Sequence, residues 1–313
     1  MKNQVKEEKV QKTVEEQDTT SYMELVMSKE ICLDSCMTAA ILIGDSNPEN
    51  HKISLVDLAI PDKLGKENIA CIECGGTGDI TKNNWDHHYY SCTQNTQLDG
   101  SPVIKRTLYF DRSVACTQAA QIKLKSIPPV VKAIENWTFG INYHFEFKPE
   151  IPDIFSGMLL STKDTMKQVI TGIKLCQKWL KEDFSYSKEE EKWMKTKKKY
   201  DKIISDLVEN VELIETRGGE ELAYIWTSFE GASQGIQNRL GTGIIIVGNL
   251  TNGKITITLD PEKTWDVEFI CNLLNRLNPG WHRPNAWNVI ESPPKWITLR
   301  LEEDVVQIVR LFL

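Results

Sequence analysis

Cys71-Ile72-Glu73-Cys74-Gly75-Gly76-Thr77-Gly78, followed closely by Asn83-Asn84-Trp85-Asp86-His87-His88, is the stretch whose reading decides the fold. Ile69-Ala70-Cys71-Ile72 predicts a short buried strand that breaks at an acid into glycines. Asp86-His87-His88 then sets three metal-ligand side chains in a row and uses two of the five histidines in the chain. A strand that delivers carboxylate oxygen and imidazole nitrogen to its tip suits a divalent cation such as manganese, iron or zinc. The bland reading is a polar loop.

Outward from this stretch, Ile53–Ile60 predicts a further strand. Residues 30–42, running from Glu30 through Cys32 and Asp34 to Leu42, predict a strand ending at Asp34 and a helix that starts with small residues. Strands alternating with helices imply an α/β fold, with a mostly parallel sheet and helices on both faces. Ligands gather beyond the carboxyl ends of such strands. Asp34, Glu73 and Asp86 all fall at predicted strand ends, which points to one shared site.

The expected organisation is a charged, disordered leader over 1–20, a metal-binding domain over 21–160, a helical linker over 161–217 and a smaller C-terminal α/β domain over 218–313. In the linker, Met166, Val169, Ile170, Ile173, Cys176 and Trp179 keep helical spacing over about 165–181, and a charged amphipathic helix is predicted over 188–215. Beyond Gly218-Gly219, strands are predicted at Leu222–Thr227, Gly243–Val247 and Lys254–Leu259, and a helix at Val267–Leu277. A helix interrupted at Pro128-Pro129 is predicted before residue 140, and His144 is read as a strand surface residue.

Composition narrows the function classes. With 41% hydrophobic and 26% charged residues, 313 residues suffice for two cores. The longest apolar run, Gly243–Gly248, is too short to span a membrane, and the N-terminus carries no secretory signal, so a cytoplasmic protein is expected. The eight cysteines are accordingly read as reduced and mostly buried. Cys71 and Cys74 make one Cys-x-x-Cys pair without a second at zinc-site spacing, and in a strand they would point to opposite faces. A net charge of −7 disfavours broad binding to duplex nucleic acid. One basic cluster, Lys192–Lys202, interleaves lysines with Trp193 and Tyr200 and would suit a single strand. The plainer reading, a solvated helix face, is favoured by the Glu189-Glu190-Glu191 that precedes it.

Asp86-His87-His88, Glu73 at a strand end before it, the intervening Gly75-Gly76 and the Asp34 region together resemble the Asp-His-His (DHH) phosphoesterase superfamily. The resemblance spans about residues 25–160, with a weaker echo near the C-terminus. It implies a metal-dependent phosphodiesterase or nuclease, most simply with Mn2+ or another divalent cation. On it, Asp34, Glu73, Asp86 and His87 would be metal ligands, Asp34, Asp86, His87 and His88 the catalytic set, and His88 a phosphate or orienting contact. Gly280, His282 and Arg283 resemble a remnant of the substrate-gripping loop of the superfamily's second domain. The partner implied is a single-stranded nucleic acid or small nucleotide, with no membrane; a homo-oligomer or a larger protein assembly is an open alternative.

The departures from the pattern are specific. Glu30 stands where the family has His, Cys32 where it has Asp, and Glu73 where it usually has Asp. The fourth motif has only Glu135 or Asn136 in place of its Asp. These changes support a second reading, a catalytically degenerate protein that binds a nucleotide or a protein partner.

Overall fold

A computed structural model describes residues 24–56, 63–74, 83–96, 102–108, 113–124, 126–138, 150–260, 263, 265–283, 288–293 and 300–313; the side chains of 89–96, 102–108 and 302 are outside this description. The N-terminal region contains β1 (Glu24–Ser28), α1 (Leu33–Ile43), β2 (Lys52–Val56), β3 (Ile69–Ile72), β4 (Asn84–Trp85), β5 (His88–Thr96) and β6 (Pro102–Leu108). Helices α2 (Ala115–Lys123), α3 (Pro129–Thr138), α4 (Glu150–Ser161), α5 (Thr165–Leu180) and α6 (Lys188–Val208) follow. The leader, Gly75–Gly78 and His144 lie outside the described residues.

β1 to β4 form one parallel sheet in the order β2-β1-β3-β4. Successive strands leave β1 first to one side and then to the other, so the order reverses beside β1, the place where open parallel sheets collect ligands. The strand ends are level there: Met27 pairs with Ile72, and Ile72 with Trp85. Residues leaving these strands therefore emerge side by side. Side-chain alternation splits the sheet between two environments. Leu25, Met27, Ala70 and Ile72 join the main core under α1, α2, α3, α4 and α5, while Val26 and Cys71 face a smaller apolar cluster with Cys74 and Leu64. β5 and β6 make a separate antiparallel pair.

The second sheet runs β11-β10-β9-β8-β7 and is mixed. Its members are β7 (Glu212–Glu215), β8 (Glu221–Thr227), β9 (Ile244–Asn249), β10 (Ile255–Leu259) and β11 (Val289–Glu291), with α7 (Ala232–Leu240) and α8 (Val267–Leu277) between them. A π-helical turn at Leu301–Val306 leads into α9 (Gln307–Phe312). Leu222, Ile244, Ile246 and Ile257 pack on α8 and α9, and Ala223, Ile225, Ile245 and Val247 pack on α7 and α6. The period-two pattern of these strands thus buries both faces under helices. The α/β architecture expected from the strand–helix alternation is present.

Two elements differ from the sequence reading. Asp34 is not at a strand end: β1 stops at Ser28, and Asp34 lies in the first turn of α1. Cys32 caps this helix, its Sγ accepting from Ser35 N while Ser35 Oγ accepts from Cys32 N, so helix geometry begins before Asp34. The helix predicted over 188–215 ends at Val208, and 212–215 is strand β7. α5, read as part of a linker, contributes Val169, Ile173, Cys176 and Trp179 to the N-terminal core. α4 and α6 approach so closely at Gly157 that a Cβ there would overlap the carbonyl oxygen of Trp193.

Candidate metal centre

The turn after β3 makes the site possible. Glu73 has a left-handed backbone (φ 56°), uncommon for a residue with a side chain, and its N–H donates to Trp85 O at 2.9 Å. That turn swings the Glu73 carboxylate toward the residues leaving β4. It also corrects the expectation that Cys71 and Cys74 point apart: Cys74 follows the bend, so both thiols lie in one buried cluster, Cys74 Sγ donating to Val26 O at 3.3 Å. The seven described cysteines are free, all buried except the half-buried Cys32.

Glu73, Asp86, His87 and His88 each offer one ligand atom, and these atoms all lie within 4.8 Å of one another. Glu73 Oε1 meets His87 Nδ1 at 2.9 Å, and Glu73 Oε2 meets His88 Nδ1 at 3.2 Å. Asp86 Oδ1 lies 2.9 Å from both the backbone N and the Nδ1 of His88, so one carboxylate oxygen fixes the ring and its backbone together. The two imidazole centroids are 4.2 Å apart. All four side chains are buried, and His88 is the most open. The oxygen and nitrogen donors of this set suit a hard-to-intermediate divalent cation. Burial raises the cost of ionising Glu73, but hydrogen bonds and charge from His87 and His88 overcome it and hold the carboxyl well below its usual value.

Asp34 stands against this group and is held differently. Its Oδ2 is 3.4 Å from His87 Nδ1, but its two oxygens also accept from Ala115 N at 3.1 Å and Cys116 N at 2.7 Å. Asp34 therefore caps the N-terminus of α2 from another helix, where Val114 has no side-chain cap of its own. Burial first, and then the charge of Glu73, push its carboxyl up to about 6. Cys32 borders the same carboxylates; burial and the charges of Glu73 and Asp34 push its thiol up to about 12, so it remains protonated at neutral pH. Glu30 is exposed, and Glu135 is a buried partner of Lys132; neither belongs to the four-residue cluster.

Gln118 was not singled out from the sequence. Its Nε2 donates to Asp86 O at 3.2 Å and Ser113 O at 2.6 Å, tying α2 to the Asp-His-His turn. A lone glutamine in an alanine-rich helix carries no local pattern that marks it.

The candidate substrate residues have their described partners within the C-terminal region. Gly280 adopts φ 109°, and its N–H donates to Asn275 Oδ1 at 2.9 Å, so that amide is already used. Arg283 Nη1 lies 3.4 Å from Glu268 Oε2, with its side chain largely buried. The His282 ring is about half exposed (48%) and its Nε2 lies 3.7 Å from Glu291 Oε2. Of the two side chains, His282 is the one that faces solvent.

Neither a family model nor a curated protein matches the chain. Among solved structures it is similar to a pGpG-specific phosphodiesterase from Vibrio cholerae, at a TM-score of 0.51 and 11% identity, over 92% of this chain and 99% of that one. The DHH domain of a member of the s1p family of ribosomal proteins also aligns, at a TM-score of 0.46 and 12% identity, over 93% of this chain and 86% of that one. At such identities the first likeness shows a shared fold. That shared fold agrees with the α/β class expected from the alternation of strands and helices.

Proposed function

We propose that the protein is a divalent-metal-dependent phosphodiesterase acting on a single-stranded nucleic acid or small nucleotide, with Mn2+ as the preferred ion. The observation that carries this reading is the buried convergence of Glu73, Asp86, His87 and His88 at the strand ends beside β1. A divalent cation held there would supply a water of lowered pKa and positive charge against the phosphoryl oxygens. Glu73, Asp86 and His87 would hold it, with Asp34 as a further ligand beside His87. Glu73 is kept ionised by its two imidazole partners and so presents a charged donor throughout the neutral range. Asp86 fixes the His88 ring, and His88, the most open of the four, would meet the substrate phosphate. His282 would hold the far end of the substrate, with Arg283 and Gly280 shaping its loop.

The test is hydrolysis of end-labelled RNA and DNA strands and of linear dinucleotides. Cleavage is expected with Mn2+, is expected to stop with excess chelator and to return when Mn2+ is restored. Cleavage unchanged by chelation, or no cleavage of any substrate with Mn2+, would overturn the reading. One observation favours the degenerate binder: a protonated Cys32 capping α1 does not replace a carboxylate ligand. A protein that binds these nucleotides at the same site without turnover is the result expected on that alternative.

A further inference from the structure

α6 is 21 residues long and buries Glu190, Trp193 and Ile204 against the rest of the protein. Between 192 and 202 every exposed position is a lysine: Lys192, Lys195, Lys198, Lys199 and Lys202. At about 100° per residue these five lie within an arc of about 120°, over about 15 Å of helix. Two nearby carboxylates are occupied elsewhere, Glu190 by Lys178 at 2.8 Å and Asp201 by Lys197 at 2.5 Å, while the exposed Glu191 and Asp206 stand one turn before Lys195 and one turn after Lys202. No described ion pair involves the five. Lys198 alone acts on a carboxyl, that of Asp153. In a chain of net charge −7, this is a concentrated positive face of five lysines, bounded at its ends by Glu191 and Asp206.

The aromatic residues of this segment are not part of that face. Trp193 is buried, and Tyr200 donates its hydroxyl to Gly231 O at 3.1 Å. Trp193 is therefore unavailable for base stacking, the half-buried Tyr200 ring lies 5.6 Å from that of Phe229, and the exposed face itself offers charge. An anionic membrane could also attract such charge, but Trp193 and Ile204 are buried and no exposed position between 192 and 202 is apolar, so the face itself has nothing to insert. A row of phosphates meets the same lysines without insertion or stacking.

We propose that the lysine face of α6 is a docking surface for the phosphate backbone of a nucleic-acid strand, independent of base sequence. The inference rests on the phosphodiesterase reading and extends it: the preferred substrates are strands longer than a dinucleotide. The test uses the full chain with excess chelator, so that nothing is cleaved. Binding of a fluorescent single-stranded 12-mer is followed across salt concentrations. Each phosphate contact contributes about 0.7 to the slope of log affinity against log salt on a single strand. The Lys192→Gln, Lys195→Gln, Lys198→Gln, Lys199→Gln, Lys202→Gln variant is expected to lower that slope by about 2 or more. The matching five-fold Lys→Arg variant is expected to preserve it, which separates lost charge from lost folding.

An unchanged slope in the glutamine variant would overturn the inference. So would equal loss in both variants, or tight lysine-dependent binding to phosphatidylserine vesicles without binding to the 12-mer. Hydrolysis of a linear dinucleotide with Mn2+ separates the two readings. If the parent and glutamine variant hydrolyse it alike while the slope falls, both stand. If neither hydrolyses it, the phosphodiesterase reading fails and the slope still decides the docking surface.

Discussion

Asp86→Asn is expected to lower Mn2+-dependent hydrolysis by about a thousandfold or more, with the protein still folded. The substitution keeps the shape of the side chain and one acceptor oxygen for His88 N, now 2.9 Å away. It removes the negative charge from a set whose other carboxylate, Glu73, is already shared between two imidazoles. It also weakens the hold on the His88 ring, which the same Asp86 oxygen provides. Losing several kcal/mol of charge stabilisation in the transition state corresponds to three or more powers of ten in rate. The measurement is kcat and KM for a linear dinucleotide, beside Mn2+ affinity by titration calorimetry. Both kcat and metal affinity should fall. Wild-type turnover in the variant would remove Asp86 from the mechanism.

A second large effect is expected in the pH dependence of metal binding. The Asp34 carboxyl is raised to about 6 by its burial and by the charge of Glu73, with His87 and the amides of α2 pulling the other way. Above that value it is ionised and available to a cation. Below it, a proton must be displaced for each cation bound through Asp34, so affinity falls about tenfold per pH unit. Mn2+ affinity is thus expected to be nearly flat from pH 8 to 7 and to drop steeply below 6. In Asp34→Asn the steep part belonging to this group disappears.

The stability of the metal-free protein should carry the opposite sign. A carboxyl raised by folding favours the native state while protonated, below its unfolded value, and that contribution is lost as pH rises through about 6. Glu73, lowered by folding, favours the native state above the usual carboxylate range and loses that contribution as pH falls. Urea unfolding of the parent and of Asp34→Asn between pH 4 and 8 separates the two. The variant should gain relative to the parent as pH rises across this window. An unchanged difference between them would show that Asp34 is not desolvated as described.

Much of this arrangement was legible because it depends on short-range patterns. The strand Ile69–Ile72, its arrest at Glu73 and the triplet at 86–88 needed only apolar periodicity and ligand chemistry, and the structure brings Glu73, Asp86, His87 and His88 within ligand distance. Helix Val267–Leu277 was legible for the same reason: its apolar face repeats at helical spacing. What escaped the sequence depends on contacts distant along the chain. Asp34 looked like a strand-end acid because residues 30–34 are apolar enough for a strand; the Cys32–Ser35 capping pair starts a helix instead. That the Asp34 carboxylate meets the amides of Ala115 and Cys116, about eighty positions away, follows from α1 packing on α2. Gln118 is hidden for the same reason. The left-handed turn at Glu73 reversed the facing of Cys71 and Cys74, because a strand period cannot be carried through a positive φ.

The most direct test of the central claim is anomalous diffraction from crystals of the protein grown or soaked with Mn2+. The result expected is an anomalous peak within coordination distance of Glu73, Asp86 and His87, with Asp34 at its edge, and loss of that peak in Asp86→Asn. A saturating Mn2+ soak that leaves the four-residue cluster hydrogen-bonded as it stands, with the ion elsewhere or nowhere, would contradict it.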